Sequence, residues 1–272
     1  MWGAEVIGGV SGGVMRKVPE VTAIFWAIKI ASTGMGETTS DYLVRLIDPV
    51  IAVACGALGL GIALVIQLTV RRYIPWAYWL AVVMVSVFGT MAADVLHIGL
   101  GVPYLISTGV FAVALAGILL VWFLVEGTLS IHSIASRRRE AFYWATVLAT
   151  FALGTAVGDL TATTLNLGYL ASGALFLLVI AVPAVAHWSR RANPVVTFWF
   201  AYIVTRPLGA SLADWVGLPH WRGGLGWGTG PVSAALGVLI VGLVGFLSVA
   251  KNERVRGTPE PGLAARPGLR AD

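Results

Sequence analysis

Apolar residues occupy long runs along almost the whole chain, separated by short polar segments. A run of about twenty such residues is the length that a helix needs to span a bilayer. The pattern predicts eight transmembrane helices, at residues 20–41, 47–70, 75–96, 102–125, 140–161, 168–188, 195–215 and 228–249. We therefore expect an all-α integral membrane protein.

A second pattern recurs four times within these runs. An aromatic residue and Trp are followed by Gly ten positions after the Trp and by Asp fifteen positions after it. The copies are Phe25-Trp26/Gly36/Asp41, Tyr78-Trp79/Gly89/Asp94, Tyr143-Trp144/Gly154/Asp159 and Phe198-Trp199/Gly209/Asp214. Each copy begins one helical hairpin, which predicts parallel repeats at about 19–72, 73–137, 138–191 and 192–250. Repeats of this kind are related by an axis along the membrane normal, and we expect the four odd-numbered helices to surround it.

The Trp and Gly residues of the repeat have general structural interpretations. Trp residues near the ends of spanning helices are typical interfacial anchors, and we expect that role for all four. The Gly residues are compatible either with close helix contact or with a break in the helix at a binding site.

Composition and charge agree with a membrane protein. Hydrophobic residues make up 58% of the chain and charged residues 11%, with a net charge of +5. The basic residues concentrate in alternate connections: Arg16, Lys17, Arg71, Arg72, Arg137, Arg138, Arg139, Arg190, Arg191, Lys251, Arg254 and Arg256. By the positive-inside rule, both termini are cytoplasmic, and the net charge reflects topology and not nucleic-acid binding. We expect a cytoplasmic segment at 1–18, a membrane domain at 19–250 and a disordered cytoplasmic tail at 251–272.

The four Asp residues are the strongest candidates for function. An ionisable residue at the centre of a spanning helix costs about 3 kcal/mol and is a functional-site hypothesis by default. One turn before each Asp, and therefore on the same helix face, lie Glu37, Thr90, Thr155 and Ala210. An oxygen-rich cluster without sulfur suits hard cations such as Mn²⁺, Mg²⁺ or Ca²⁺. The predicted ligands are Asp41, Asp94, Asp159, Asp214 and Glu37, assisted by Thr90 and Thr155.

Two basic residues also fall within predicted spans. Five carboxylates cannot all stay ionised at low dielectric constant, so protons or a bound cation must neutralise some of them. Lys29 and Arg206 are candidate built-in counter-ions or gates, and Pro207 predicts a kink beside Arg206. A purely structural role for the Asp residues, in helix caps or in pairing across the bundle, remains the alternative.

These observations favour a transporter of a small cation, with a hard divalent metal ion as the expected substrate and proton-coupled export as the expected mode. An organic-cation transporter or receptor is the alternative, and an intramembrane enzyme or a structural subunit is less favoured. The sequence carries no nucleotide-binding motif and no protease or phospholipid-transferase signature, so we expect neither a cofactor nor enzymatic activity. The lipid bilayer is the expected surrounding, and homo-oligomerisation is left open.

Several motifs resemble those of a known family. They are Lys17-Val18-Pro19-Glu20-Val21-Thr22, Tyr143-Trp144-Ala145-Thr146, Leu165-Asn166-Leu167-Gly168-Tyr169 and Thr205-Arg206-Pro207-Leu208-Gly209-Ala210, together with the Gly and Asp positions of the repeat. Over residues 17–250 the chain resembles bacterial polytopic repeat proteins usually described only as uncharacterised membrane-anchored proteins. The resemblance implies a repeated membrane fold in the bacterial inner membrane, and it implies no particular activity.

Overall fold

The computed structural model describes residues 17–188 and 193–256. Residues 1–16 of the predicted segment 1–18, residues 257–272 of the predicted tail 251–272, and the loop residues Arg190 and Arg191 lie outside these ranges. Within the described ranges the chain forms eight α-helices and no strand. They are α1 (Ala23–Leu46), α2 (Pro49–Thr69), α3 (Pro75–Asp94), α4 (Tyr104–Glu126), α5 (Arg137–Asp159), α6 (Tyr169–Trp188), α7 (Pro194–Gly217) and α8 (Thr229–Arg256).

Capping residues explain where several helices begin. The side chain of Asp48 accepts hydrogen bonds from the backbone N–H groups of Val50 and Ile51, and Pro49 occupies the first helical position of α2. Asn193 and Pro194 start α7 in the same way. These starts agree with the predicted runs to within two residues.

Two helix ends differ from the expected bounds. Helix α1 continues to Leu46, because Arg45 pairs with Asp41 one turn earlier and extends the helix past the predicted end at 41. Helix α8 continues to Arg256, so residues 251–256 are helical although the sequence pattern assigns them to the disordered tail.

Six of the described helices are long and apolar enough to cross a membrane: α2, α3, α4, α5, α7 and α8. The chain is therefore a multi-pass membrane-like helical protein. The described apolar part of α6, Tyr169–Val185, is shorter. Helix α1 is not in this group, because it carries Lys29, Glu37 and a series of Ser and Thr residues. These polar side chains are turned inward and are buried against the other helices.

The odd-numbered helices form a closed ring. Helix α1 packs on α3 and α7, and α5 packs on the same two helices. The repeat glycines lie at these contacts: each faces the side chain three positions before the Gly of the next helix. The pairs are Gly36 with Ser86, Gly89 with Phe151, Gly154 with Arg206 and Gly209 with Thr33. All four glycines lie inside continuous helices, so close contact is confirmed and a helix break at these positions is wrong.

The even-numbered helices lie outside the ring. Three of them pack mainly on the odd helix that follows in the chain, α2 on α3, α4 on α5 and α6 on α7, and the last, α8, packs on α1. The outward faces of α2, α4 and α8 are apolar and exposed. The chain is closed into a circle by the last helix packing on the first.

The Trp residues of the repeat do not lie where interfacial anchors would. Trp79, Trp144 and Trp199 are at most 5% exposed and pack between helices. Each contacts the aromatic ring just before it, as in Tyr78–Trp79, with ring centroids 5.2 Å apart and nearly perpendicular planes. The interfacial interpretation is wrong for these three residues, because they form the core of one end of the ring; Trp26 is partly buried there.

Candidate functional site

Inward-facing side chains recur at every fourth position along each odd helix, counting back from its Asp. Residues four apart share a helix face, so these positions form five layers of four side chains. We name them the aromatic layer (Phe25, Tyr78, Tyr143, Phe198), the lysine layer (Lys29, Val82, Val147, Tyr202), the arginine layer (Thr33, Ser86, Phe151, Arg206), the glutamate layer (Glu37, Thr90, Thr155, Ala210) and the aspartate layer (Asp41, Asp94, Asp159, Asp214). Every member of the three middle layers is at most 4% exposed.

Contacts across the ring place these layers on its axis. Lys29 of α1 lies over the ring of Phe151 of α5, with Nζ 4.0 Å from the ring centroid, although α1 and α5 are on opposite sides. Arg206 of α7 donates a hydrogen bond to Thr90 of α3, the other opposite pair. The axis is therefore filled by these side chains and is closed in this conformation.

Arg206 is the centre of the polar part of the axis. Its Nη2 donates hydrogen bonds to Glu37 Oε2 at 2.9 Å, to Thr155 Oγ1 at 2.7 Å and to Thr90. Its Nη1 donates to the carbonyl oxygen of Thr33 at 3.3 Å. All four odd helices thus meet at one guanidinium group. The two charges are fully desolvated, with side-chain exposures of 0% for Arg206 and 5% for Glu37.

Two small residues make room for Arg206. Ala210 ends at Cβ, so the guanidinium group fills the α7 position of the glutamate layer. A Cβ atom at Gly154 would overlap the stem of the Arg206 side chain. The structure therefore brings Glu37, Thr90 and Thr155 together, as predicted, and adds Arg206 as a fourth member. Helix α7, which carries Arg206, continues as one helix through Pro207.

Lys29 lies one layer beyond Arg206 and has no acidic partner. Its Nζ lies 4.0 Å from the ring centroid of Phe151 and 4.3 Å from that of Tyr202, and it donates a 3.4 Å hydrogen bond to Thr33 Oγ1. Among the described residues no carboxylate lies within ion-pair distance of it. It is completely buried.

The aspartate layer closes the other end of the axis. Asp41 is partly exposed and pairs with Arg45 at 2.6 Å. Ser40 donates to Asp94 at 3.5 Å. In the described chain no basic side chain lies within ion-pair distance of Asp94, Asp159 or Asp214. These three carboxyl groups lie near enough to interact electrostatically with Glu37.

The five proposed metal ligands do not form a coordination site in this conformation. Within residues 17–188 and 193–256, no three His, Cys, Asp or Glu side chains converge closely enough to hold a metal ion. The physical reason is visible for two of them, because Glu37 is engaged by Arg206 and Asp41 by Arg45. A metal site made of Asp41, Asp94, Asp159, Asp214 and Glu37 would need a rearrangement.

Irregular backbone follows two of the four Asp residues. Helices α3 and α5 end at Asp94 and Asp159 and continue into single π-helical turns, Val95–Gly99 and Leu160–Thr164. Such turns are rare and frequently occur at functional sites. His97, in the first of these turns, packs against the ring of Tyr104. Its ring nitrogen lies within hydrogen-bonding distance of the Val102 carbonyl oxygen and the Ser107 hydroxyl group. It therefore belongs to the loop and not to the axis.

The loop after α7 covers the aspartate end. Backbone N–H groups of Leu225, Trp227 and Gly228 donate to the carbonyl oxygens that α7 leaves free at its end. Arg222 in this loop donates a 3.4 Å hydrogen bond to Tyr169 and interacts electrostatically with Asp41 and Asp159. A positive charge therefore lies over the carboxylates.

A separate polar cluster closes the opposite end. Lys17 Nζ lies 2.5 Å from Glu140 Oε2, and Gln67 Nε2 donates to Glu140 Oε1 at 3.0 Å. All three side chains are buried. The cluster ties the segment before α1 to α2 and α5, so Lys17 has a structural role.

Sequence reasoning followed the four-residue step only one turn back from each Asp; it named Lys29 and Arg206 separately but missed the other members of the deeper layers. Tyr202 and Phe151, which enclose Lys29, lie twelve and eight residues before Asp214 and Asp159. The same four-residue step that predicts Glu37, Thr90 and Thr155 identifies them when it is continued. Glu140 offers no such signal, because it is the first residue of the predicted span 140–161 and directly follows three basic residues.

Comparison with known proteins bears on the repeat and not on the activity. The sequence profile of the family described as Repeat of Unknown Function (DUF347) matches residues 77–128, 142–193 and 197–252, more than half of the chain. The chain belongs to the DUF347 repeat family. Each matched DUF347 unit begins one residue before the aromatic–Trp pair, so the family repeat and the repeat found here agree. No curated protein and no solved structure shows a significant match.

The first unit lies outside the DUF347 match. It keeps the Trp, Gly and Asp spacing but alone contributes Lys29 and Glu37 to the axis. The acidic and basic groups that make the axis asymmetric therefore come from the first unit, and from Arg206 in the last.

Proposed function

We propose that this protein is a membrane transporter of a small cation, whose path follows the axis of the odd-helix ring. In this proposal the four two-helix repeats run parallel around an axis along the membrane normal, both termini are cytoplasmic, and the aspartate layer faces the outer side of a bacterial inner membrane.

The observation that carries the proposal is the Arg206–Glu37 pair on the axis. A buried ion pair gains little stability over an apolar pair of the same volume, so stability alone does not account for it. Ionisable residues inside a membrane protein commonly mark an ion or substrate path. Here the pair lies one layer from Asp94, Asp159 and Asp214, which have no basic partner among the described residues.

The chemistry of the site favours a cation with hard character. The groups near the aspartate end are carboxylates and hydroxyls, including Ser40, Thr90 and Thr155, and oxygen ligands of this kind suit Mg²⁺, Ca²⁺ or Mn²⁺. The aromatic side chains of the axis pack on one another and on Lys29, so they leave the organic-cation alternative without a specific supporting contact.

Arg206 acts in this proposal as a tethered cation that occupies the place of the substrate. A cation reaches Glu37 only when the guanidinium group leaves it. Arg206 already interacts electrostatically with Asp94 and Asp159, which can receive it when Glu37 binds the substrate. Exchange of partners keeps the axis close to electroneutral throughout, as burial of charge requires.

The test is cation flux in proteoliposomes under a pH gradient, with Mn²⁺, Mg²⁺, Ca²⁺, Co²⁺ and Zn²⁺ measured in turn. Asp159→Asn removes one axial carboxylate without changing its size, and we expect it to abolish the flux. Asp48→Asn is the matched control, because Asp48 caps α2 away from the axis and Asn caps a helix equally well. Absence of flux for every ion, with folded protein, would contradict the proposal.

A further inference from the structure

The outward face of α5 lies open between α2 and α4, at the end of the ring that holds the aromatic layer. Along this face Arg137, Ala141 and Ala145 follow one another at four-residue steps, and all three are exposed. Helix α4 packs on one side of the face, and α2, which packs on α3, borders the other side. No other helix of the described chain covers the face between them.

Two apolar grooves lie on either side of Ala145. One, of about 250 Å³, runs between α2, α3 and α5, and its α2 wall includes Leu64 and Leu68. The other, of about 450 Å³, runs between α4 and α5, where Gly117 and Phe142 line it. Ala145 lines both, so the grooves are adjacent. Two adjacent apolar grooves match the two acyl chains of a single phospholipid molecule.

Exposed arginines collect where the α2 groove ends. Gln67 of α2 donates a hydrogen bond to Glu140 of α5, so the end of α2 and the beginning of α5 meet there. Arg71 and Arg72 follow α2, and Arg137 is the first residue of α5. In the described chain no carboxylate lies within ion-pair distance of these three arginines, and Glu140 is itself buried in another ion pair. Three positive charges at the end of an apolar groove are thus available to an anionic group.

Two buried polar groups beside the α2 groove also lack partners. Trp144 lines the groove and is 4% exposed, and its indole N–H has no hydrogen-bond partner among the described residues. The same is true of Gln67 Oε1 at the polar end of the groove. Buried polar groups are normally hydrogen-bonded. An ester carbonyl oxygen would accept from Trp144, and a head-group hydroxyl would donate to Gln67.

We propose that this face binds one anionic diacyl phospholipid. Its acyl chains lie in the two grooves, and its phosphate group pairs with Arg71, Arg72 and Arg137. Basic pockets between transmembrane helices bind anionic head groups in this way. The distribution of basic residues places this end of the ring in the cytoplasmic leaflet, where anionic lipids are found. This site does not depend on the proposed function.

A second copy of the chain is a less suitable occupant of the same face. A two-fold contact brings the same patch of both copies together. The two sets of three arginines would then face each other, and like charges brought together at an interface are unfavourable. A lipid phosphate group supplies the opposite charge.

Native mass spectrometry of the purified, delipidated full-length protein tests the proposal. Phosphatidylglycerol and phosphatidylcholine with identical acyl chains are titrated separately. We expect one phosphatidylglycerol per chain, bound about a hundredfold more tightly than phosphatidylcholine, since each of three arginines contributes about fivefold. Equal affinity for the two lipids would overturn the proposal, and so would a dimer that binds neither.

The arginines are tested by charge removal. We expect Arg137→Gln to weaken phosphatidylglycerol binding by about fivefold and Arg71→Gln/Arg72→Gln by about 25-fold, with phosphatidylcholine binding unchanged. Arg45→Gln is the matched control, because Arg45 is an exposed arginine at the opposite end of the ring, and it should bind phosphatidylglycerol as the wild type does. Unchanged affinity in the Arg137 and Arg71/Arg72 variants would overturn the assignment of the head-group site.

The grooves are tested by filling them. Ala145→Phe places a ring on the wall that the two grooves share, and we expect it to abolish phosphatidylglycerol binding. Ala116→Phe, on an exposed part of α4 outside the grooves, should keep it. Undiminished binding by Ala145→Phe would overturn the placement of the acyl chains. The arginine variants change only exposed side chains, so they decide the proposal even where Ala145→Phe does not fold.

Discussion

Arg206 and Glu37 show how one residue pair combines a structural and a functional role. The guanidinium group joins four helices, yet two buried charges gain little over apolar side chains because both lose their hydration. Removing one member is a different matter, because the other is then left as an unpaired charge in the core. Single substitutions therefore measure the loss of stability when one charge is left unpaired, and the double substitution measures how much the intact pair contributes to stability.

We expect Arg206→Met and Glu37→Gln each to lower the free energy of unfolding by about 3 kcal/mol, the usual cost of leaving a buried charge unpaired. The double variant Glu37→Gln/Arg206→Met should recover most of this loss. Thermal unfolding in detergent, followed by Trp fluorescence, measures the three variants beside wild type.

Additive losses in the double variant would contradict this account of the pair. Arg138→Met is a suitable control, because the Arg138 side chain is exposed and Glu126 keeps its second ion pair, with Arg139, when Arg138 is removed. Exposed pairs contribute about 1 kcal/mol or less, so we expect little change.

At the scale of the helix, the glycines set the distance between neighbours in the ring. A Cβ atom at Gly36 would collide with Ser86, and one at Gly89 would lie 2.8 Å from the Cβ of Phe151. Neither neighbour can move away easily, since Ser86 and Phe151 are themselves buried in the arginine layer. The spacing between the helices of the ring therefore depends on the lack of a side chain at these glycines.

Gly36→Ala and Gly89→Ala should each destabilise the protein by about 1–3 kcal/mol, the usual cost of overpacking a core. Gly117→Ala on the outward part of α4 is the control, since no atom lies within 4 Å of the added Cβ. Thermal unfolding of the three variants measures the difference. Equal stability of all three would show that the ring does not need close contact at the glycines.

The helices were the most predictable part of the fold, because apolar runs and the Trp, Gly and Asp spacing are local signals. The four-residue step also predicted Glu37, Thr90 and Thr155 together. The sequence did not indicate that Arg206 would complete this set, because its position depends on the small volume of Ala210 in the next layer and on packing between helices. Burial of Trp79, Trp144 and Trp199 was also missed, since a Trp near a helix end has the same local sequence in a core and at an interface.

The whole molecule has two unlike ends. At one end the ring is closed by aromatic side chains and by the buried cluster of Lys17, Gln67 and Glu140. At the other end lie the aspartate layer and the loop that carries Arg222. The distribution of basic residues predicts that the aromatic end is cytoplasmic.

Accessibility of single cysteines tests this orientation. In a Cys55→Ser background, we expect a membrane-impermeant maleimide to label Trp221→Cys in spheroplasts, because Trp221 is 84% exposed at the aspartate end. Arg72→Cys, exposed at the aromatic end, should be labelled only after the membrane is permeabilised. The reverse pattern would place the aspartate layer on the cytoplasmic side.

The central claim is that the Arg206–Glu37 pair lies in the substrate path and does more than hold the helices together. The most direct measurement is cation flux by the double variant Glu37→Gln/Arg206→Met in proteoliposomes, beside wild type and Asp48→Asn. The account predicts a folded, stable double variant that transports no cation, while both other proteins transport the same ion. Flux through the double variant at the wild-type rate would contradict it, and would make the pair a structural element of the helix ring.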